Sequence, residues 1–298
     1  PINIIGSAVA QVALPNLAES CEQEDKFKEV LNKAIQVSLF LILPIVSTLL
    51  ILRLPLVRLA YGTGAFDWRA TILTAWCLVL LSLSVIGQTI VQILLRAFYA
   101  LKETWLPLIA ITIGIIVNIS LAFFLTNFFS HYYDWRDIVA QIFFQMTESN
   151  PKELLDVILS FFNDFLRWST TRGDSDMAVG GLSLSLSIAY IMEMVALTVL
   201  LNIKRRVFTW KDFVAPTVKK LINTTLMCIG MYFVFKLFDF QLDTTRTIYV
   251  ILLTVVTTAY GFISYLIGCK VFRIEEISII DELWDDIRRS ILKNEETK

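Results

Sequence analysis

The chain has 298 residues, of which 56% are hydrophobic and 18% are charged, and its mean hydropathy is +0.66. A soluble domain usually has about 25% charged and 45–50% apolar residues, so the composition argues against a water-soluble globule, a disordered chain and a nucleic-acid-binding protein. The formal net charge of −1 provides no overall field that would steer an anionic partner. Because the sequence opens at Pro1 inside an apolar stretch, we expect the whole protein to be longer.

Long apolar runs divide the sequence, and most of them reach the length of about 20 residues that crosses a bilayer as a helix. The runs are continuously apolar, whereas the strands of a membrane barrel alternate between apolar and polar residues. The sequence therefore predicts an all-α integral membrane protein with seven transmembrane helices. The seven runs are residues 2–18, 34–54, 72–95, 105–126, 179–202, 213–235 and 247–268.

These runs divide the chain into four regions. Residues 1–126 hold the first four transmembrane helices, and residues 179–270 hold the last three. Residues 127–178 form an insertion between them, and residues 271–298 form a tail. The tail has an apolar face and an acidic face, and we expect it to pack on the cytoplasmic ends of the spans or on a partner.

The insertion has apolar side chains at helical spacing on one face only. This pattern predicts amphipathic helices that lie at the interface on the outer side of the membrane, with Trp135 and Trp168 as aromatic anchors. A lid or a platform for a partner protein is the alternative interpretation.

The loop charges predict the orientation. Lys and Arg are more frequent in segments 19–33, 96–104 and 203–220 than in segments 53–71 and 236–246. Because cytoplasmic loops of membrane proteins carry an excess of these residues, we expect the first group to be cytoplasmic. The C-terminus then lies in the cytoplasm, and the first span starts on the outer side.

Several residues mark the ends and interiors of the spans. Asp67 precedes the third span and Thr104 precedes the fourth, so both are candidate N-caps. Pro107 falls in the first turn of its helix, where proline removes no helical hydrogen bond. Pro44 lies inside the second span and should free a backbone carbonyl and kink that helix, either as a hinge or as ordinary packing.

Enzymatic chemistry has little support in this sequence. The one histidine, His131, lies in the insertion, and no second residue completes a catalytic set or a metal site around it. A nucleotide-binding loop of the Walker A type is also absent from the sequence. We therefore predict no catalytic residues, no metal and no cofactor.

Few polar residues lie inside the spans, and these few are the candidates for a functional role. Glu193 lies near the middle of its span and Asn118 lies deep in another, so both are candidates for ion coupling. Asn3, Ser7 and Gln11 share one face of the first span and are candidates to line a substrate cavity. Interhelical hydrogen bonding is the alternative role for all five.

Three segments carry a family resemblance. Residues 6–17 read GSAVAQVALPNL, residues 55–66 read PLVRLAYGTGAF, and residues 96–107 read RAFYALKETWLP. In combination they resemble the MurJ/MviN family, the lipid II flippases of the MOP exporter superfamily. The residues that match the family motifs are Gly64, Phe66, Arg96, Tyr99, Thr104 and Pro107.

The resemblance implies fourteen spans in two lobes, of which these seven are similar to the eighth to the fourteenth. The first lobe and the cavity arginines that meet the lipid diphosphate would then lie outside this sequence. Spans 213–235 and 247–268 are similar to the pair that forms a lipid-tail groove in the family. Two departures stand out, since the insertion is longer than the family's usual loop and Glu193 stands where the family often has Asn.

The function that the resemblance implies is transport without covalent chemistry. We expect the protein to move an undecaprenyl-diphosphate-linked peptidoglycan precursor from the inner to the outer leaflet of the bacterial cytoplasmic membrane by alternating access. Its partners would be this glycan lipid, membrane lipids and possible cell-wall synthesis or division proteins. The alternatives are another exporter of the superfamily, for a different glycan lipid or a drug cation, and a non-transporting scaffold for cell-wall enzymes.

Overall fold

A computed structural model describes residues 2–62, 66–148, 151–208, 213–241 and 246–278. This part of the chain is helical and contains no β-strand. A π-helical stretch and a short 3-10 turn accompany ten α-helices. The α-helices are α1 (Ser7–Glu19), α2 (Glu24–Ile51), α3 (Arg53–Tyr61), α4 (Trp68–Ala100), α5 (Trp105–Ser130), α6 (Tyr132–Glu148), α7 (Pro151–Thr170), α8 (Val179–Arg205), α9 (Ala215–Gln241) and α10 (Thr247–Val271).

Six of these helices are long and apolar enough to cross a membrane, namely α2, α4, α5, α9, α10 and the helix of residues 176–205 that contains α8. The predicted fold class, an all-α membrane protein, is confirmed. The first predicted span contains the π-helical stretch Ile2–Gly6 followed by the 13 residues of α1. This stretch is not among the six helices that qualify as spans, and α1 alone is shorter than the roughly 17 residues that a crossing helix needs, so the count of seven spans stays a prediction.

Helix α2 begins at Glu24, well before the predicted start of its span at residue 34. The prediction that residues 19–33 form a loop is therefore wrong for most of that segment. The early turns are stabilised because Phe27 and Leu31 are fully buried and because Lys28 pairs with Glu24 at 3.5 Å along the helix. Hydropathy marks only the lipid-facing part of a helix, so it missed these polar turns.

Two predicted caps differ in what they contribute. The Asp67 carboxylate accepts a hydrogen bond of 2.8 Å from the backbone N–H of Ala70, which confirms it as the cap of α4. Thr104 stands at the N-cap position of α5, but its side chain makes no capping hydrogen bond. Pro107 is buried in the first turn of α5, as predicted.

The residues form two compact units, and the first contains residues 1–52, 92–103 and 198–298. Within it, α2, α9 and α10 pack against one another. Pro44 lies inside α2, and the backbone carbonyl of Phe40, one turn earlier, accepts a hydrogen bond of 2.9 Å from the Tyr265 hydroxyl on α10. The carbonyl that proline frees is therefore satisfied by a neighbouring helix.

The second unit contains residues 53–91 and 104–197. Here α8 lies close to both α4 and α5, because Gly180 faces the indole of Trp76 and Gly181 faces the backbone of Thr126. The Ser187 hydroxyl donates a hydrogen bond to the carbonyl oxygen of Leu80. Gly180, Gly181 and Ser187 thus serve close helix packing.

The insertion forms helices α6 and α7, and α7 packs on both α5 and α6. Trp168 is buried, with its ring 6.4 Å from that of Phe128, and Trp135 stacks on Phe128 at 5.5 Å. The prediction that both tryptophans anchor the chain in the interface is wrong for Trp168, because its ring lies inside an aromatic cluster. The exposed aromatic side chains of this region are others, including Phe143 and Phe144 on α6.

Candidate functional site

A groove of about 500 Å³ runs between α9 and α10 in the first unit. Leu226, Ile263 and Ile267 line it and are more than half exposed, so the groove is open at the surface of these two apolar helices. The two helices approach closely at Gly268, where an added Cβ atom would overlap the side-chain amide of Asn223. The result is an apolar slot with one amide near its end.

A buried charge lies one helical turn from that amide. Lys220 is fully buried, and its ammonium group donates a hydrogen bond of 2.7 Å to a Glu276 carboxylate oxygen and another to the side-chain oxygen of Gln36. The Gln36 amide nitrogen in turn donates to the carbonyl oxygen of Phe213 at 3.1 Å and to the hydroxyl of Thr217 at 3.0 Å. A buried charge is tolerated when it is paired and hydrogen-bonded in this way.

Sequence reasoning missed this cluster, because it counted Lys220 among the charges of the cytoplasmic segment 203–220, although the residue also falls in the predicted span 213–235. The residue lies on α9 and faces the protein interior. A signal was present in the spacing, since Lys220, Asn223, Met227 and Met231 recur every three or four residues and share one buried face of the helix. The partner Glu276 comes from beyond α10, and no local pattern connects it to Lys220.

Glu193, one candidate for ion coupling, is half-buried on α8. It faces α5 at Gly114, where an added Cβ atom would lie 3.6 Å from the carboxylate oxygen Oε2. Asn118, the other candidate, lies one turn after Gly114 on the same helix and is also half-buried. Within the described residues, the Glu193 carboxylate makes no hydrogen bond to Tyr190, which lies one turn earlier on the same helix.

The proposed cavity-lining stripe on the first span lies apart from the cavity found there. A cavity of about 520 Å³ between α1 and α2 is lined by Ala8, Val12 and Asn16 but by neither Ser7 nor Gln11. Gln11 is exposed and Ser7 is half-buried. The side chain of Asn3 lies outside the described residues.

The residues that match the family motifs are spread over both units. Phe66 is half-buried, with its ring 5.8 Å from that of Tyr61, and Gly64 lies outside the described residues. On α4, Arg96 is half-buried and Tyr99 is exposed. These residues therefore do not converge on one site within either unit.

His131 has hydrogen-bond partners close in sequence, and its ring stacks on that of Trp168 at 6.4 Å. Its Nδ1 atom lies 3.1 Å from the carbonyl oxygen of Asn127 and 3.3 Å from the Ser130 hydroxyl. Among the described residues, no group of three or more His, Cys, Asp or Glu side chains is arranged to hold a metal ion.

Comparison with known proteins extends these observations. Residues 1–134 match the family model described as "Lipid II flippase MurJ". The predicted MurJ resemblance is confirmed. A "probable lipid II flippase MurJ" of Rhizobium meliloti is 31% identical over 124 residues, which cover 41% of this chain and 23% of that protein. The Thermotoga maritima relative of the same name is 36% identical over 121 residues, which cover 41% of this chain and 25% of that protein.

The fold agrees with a solved MurJ structure over most of the chain. The structure titled "Lipid II flippase MurJ, inward closed conformation" matches with a TM-score of 0.58 and 24% sequence identity. The match covers 91% of this chain but 44% of that one. The helical arrangement beyond residue 134 is therefore also like that of MurJ, whereas the matched part spans about a quarter of the curated relatives.

Proposed function

We propose that the protein moves a polyprenyl-diphosphate-linked peptidoglycan precursor, lipid II, from the inner to the outer leaflet of the bacterial cytoplasmic membrane. In this proposal the chain provides the C-terminal lobe of a two-lobed transporter that works by alternating access. The observation that carries the proposal is the match of residues 1–134 to the MurJ family. The fold similarity to a MurJ structure over 91% of the chain supports it.

The groove between α9 and α10 is the proposed site for the prenyl chain of the substrate. A prenyl chain is apolar and flexible, and an apolar slot can hold it through van der Waals packing, since a chain that arrives from the bilayer leaves lipid rather than water. Leu226 and Ile267 line the groove and are more than half exposed, so a chain could enter from the bilayer. Ordinary lipid tails would compete for the same surface.

Glu193 and Asn118 remain the proposed coupling residues. A carboxyl group inside a membrane span is costly unless it faces protein, water or an ion, and the carboxylate of Glu193 faces Gly114 of α5, which has no side chain to pair with it. Asn3, Ser7 and Gln11 are retained as a proposed face toward the central cavity. Transport in this scheme needs no covalent step, so none of these residues is assigned a catalytic role.

A second proposal concerns protein partners. Phe143 and Phe144 on α6 are both about two-thirds exposed, at 67% and 64%. Such side chains favour contact with the outer surface of the cytoplasmic membrane or with a cell-wall protein. Under the scaffold alternative, loss of residues 127–176 abolishes partner binding and leaves precursor flipping intact. A pull-down and a flipping assay on the same deletion variant distinguish this role from transport.

Depletion of the protein in its host tests the transport proposal. We expect lipid-linked precursor to accumulate in the inner leaflet, which is measured by labelling or enzymatic cleavage of the precursor from the outer face. Restoring the unaltered protein should return the outer-leaflet signal. Undiminished exposure of the precursor at the outer face after depletion would rule the proposal out.

A further inference from the structure

We propose that the segment after α10, residues 272–276, is a strap that closes one end of the α9–α10 groove, and that a buried ion pair holds it there. The Phe272 ring then ends the groove and limits how much of an apolar chain can lie between the two helices. Lys220 and Glu276 are positioning residues, because they hold the strap and do not line the groove. The inference rests on the proposed prenyl site, and it adds the residue that sets the chain length which this site holds.

The strap begins with a tight turn at the end of α10. The N–H of Phe272 donates to the Gly268 carbonyl at 2.9 Å. The N–H of Ile274 donates to the Cys269 carbonyl, also at 2.9 Å. Arg273 lies between them with a left-handed φ of 52°. This conformation is unfavourable for a residue other than glycine, so contacts further along the chain must stabilise the turn.

Two side chains of the strap provide those contacts. Ile274 is buried, and the Glu276 carboxylate accepts a hydrogen bond of 2.7 Å from the Lys220 ammonium group. Lys220 is fully buried, and the Glu276 side chain keeps 14% of its surface exposed. Separating such a pair leaves an unpaired charge in a low-dielectric environment, which is strongly unfavourable. The pair therefore holds the strap more firmly than a solvent-exposed ion pair would.

The lysine is itself fixed by α2. The side-chain oxygen of Gln36 accepts a second hydrogen bond from the Lys220 ammonium group. The Gln36 amide nitrogen in turn donates to the carbonyl oxygen of Phe213 and to the hydroxyl of Thr217. Lys220 thus joins α2, α9 and the strap within the first unit, so Glu276 docks at a defined point beside α9.

Phe272 is the residue at which the strap meets the groove. The lining residues of α10 begin at Tyr260 and end at Val271, and Phe272 follows them as the last lining residue in chain order. Phe272 is half-buried. Asn223 of α9 lines the same end, because its amide donates to the sulfur of Cys269 at 3.2 Å, three residues before Phe272. An aromatic ring and an anchored amide thus stand together where the groove stops.

The lined stretch of α10 has a defined length. From Tyr260 to Phe272 the helix advances about 18 Å, at a rise of about 1.5 Å per residue. A chain that lies along this stretch gains van der Waals contacts with each added unit until it reaches Phe272. Units beyond that point lie in lipid or detergent and gain nothing over the surrounding chains. Affinity should therefore rise with chain length and then level off.

Binding of polyprenols of increasing length to the purified protein in detergent micelles tests the role of Phe272. The unaltered protein should bind longer chains more tightly until the chain spans about 18 Å, and show no further gain beyond that length. Phe272→Ala should move this limit to longer chains. The matched control is Ile263→Ala, which shortens a lining side chain between Tyr260 and Phe272 and should weaken binding without moving the limit. An unchanged limit in Phe272→Ala would overturn the proposal.

Hydrogen exchange of the strap amides tests the ion pair without any ligand. Glu276→Gln keeps the size of the side chain but removes the charge that pairs with Lys220. We expect the amides of residues 272–274 to exchange about tenfold faster, and the chain-length limit to move as it does in Phe272→Ala. The control is Glu275→Gln, the same change at the exposed neighbouring carboxylate, which should alter neither. Equal acceleration in both variants would overturn the role of the pair.

A second variant decides the role of the pair if Glu276→Gln does not fold. The double variant Lys220→Met with Glu276→Ala leaves no buried charge unpaired, but it removes the contact between the strap and α9. It should fold, and its strap amides should exchange faster than those of the unaltered protein. Exchange as slow as in the unaltered protein would overturn the role of the pair.

These outcomes are separate from the fate of the transport proposal. A length limit that moves in Phe272→Ala supports the inference even if no precursor is flipped, because binding is measured at equilibrium on the isolated protein. A groove that binds no polyprenol of any length would overturn both the proposed prenyl site and the role of Phe272. The exchange measurement would still decide whether the ion pair holds the strap.

Discussion

The hydroxyl group of Tyr265 on α10 donates a hydrogen bond of 2.9 Å to the backbone carbonyl oxygen of Phe40 on α2. That carbonyl has no helical partner, because the residue four positions later is Pro44, which lacks an N–H group. The two rings also lie 5.6 Å apart. A proline in a membrane helix is thus compensated by a hydroxyl from its neighbour, and this bond connects the two helices.

Tyr265→Phe should therefore lower the free energy of unfolding by about 1–3 kcal/mol, the cost of leaving a buried carbonyl without a partner. In a Pro44→Ala background the helix supplies its own N–H to Phe40, and the same change should cost less. Unfolding in mixed micelles measures all four proteins of this double-mutant cycle. Equal costs of Tyr265→Phe in both backgrounds would show that the proline does not create the need for the hydroxyl.

The close packing of two helices at Gly181 leads to a second prediction. A Cβ atom there would lie 2.5 Å from the backbone carbonyl carbon of Leu125, so Gly181→Ala must push α8 away from α5. We expect it to lower the free energy of unfolding by about 1–3 kcal/mol. Gly114→Ala is the matched control on the facing helix, because its Cβ would have only ordinary contacts, and it should not lower the free energy of unfolding, since alanine is the better helix former. Similar losses in both variants would contradict the packing account.

Replacement of the Glu193 carboxylate tests ion coupling. Glu193→Gln keeps the size of the side chain and removes its ability to carry charge, so we expect the dependence of transport on pH or on a cation gradient to change. The control is Glu24→Gln, which makes the same chemical change at a half-exposed carboxylate. Transport by reconstituted protein across a series of pH values and sodium concentrations provides the readout. If the Glu193 variant retains the original profile, the residue serves helix packing instead.

The membrane helices could be located from the sequence because a long, continuously apolar run is best explained by a helix that spans the bilayer. The sequence placed their ends poorly, and α2 illustrates the reason. Phe27 and Leu31 are fully buried, yet they alternate with charged residues, so average hydropathy assigned them to a loop. Helix formation follows packing and backbone hydrogen bonding, whereas hydropathy reports contact with lipid.

The candidate site was less predictable than the fold. Glu193 could be selected from its polar character alone, but its placement against Gly114 joins helices that are far apart in sequence. Lys220 and Glu276 are separated by 56 residues, and only the tertiary structure brings them together. Buried pairs of this kind depend on chain geometry that neither composition nor periodicity encodes.

Direct measurement of lipid movement tests the central claim. The protein would be reconstituted into vesicles with a labelled lipid-linked peptidoglycan precursor, and the fraction of precursor that an impermeant reagent can reach on the outer face would be followed over time. The account predicts protein-dependent transfer of the precursor between leaflets, while a labelled phospholipid of similar charge remains in place. Equal rates with and without the protein would contradict it.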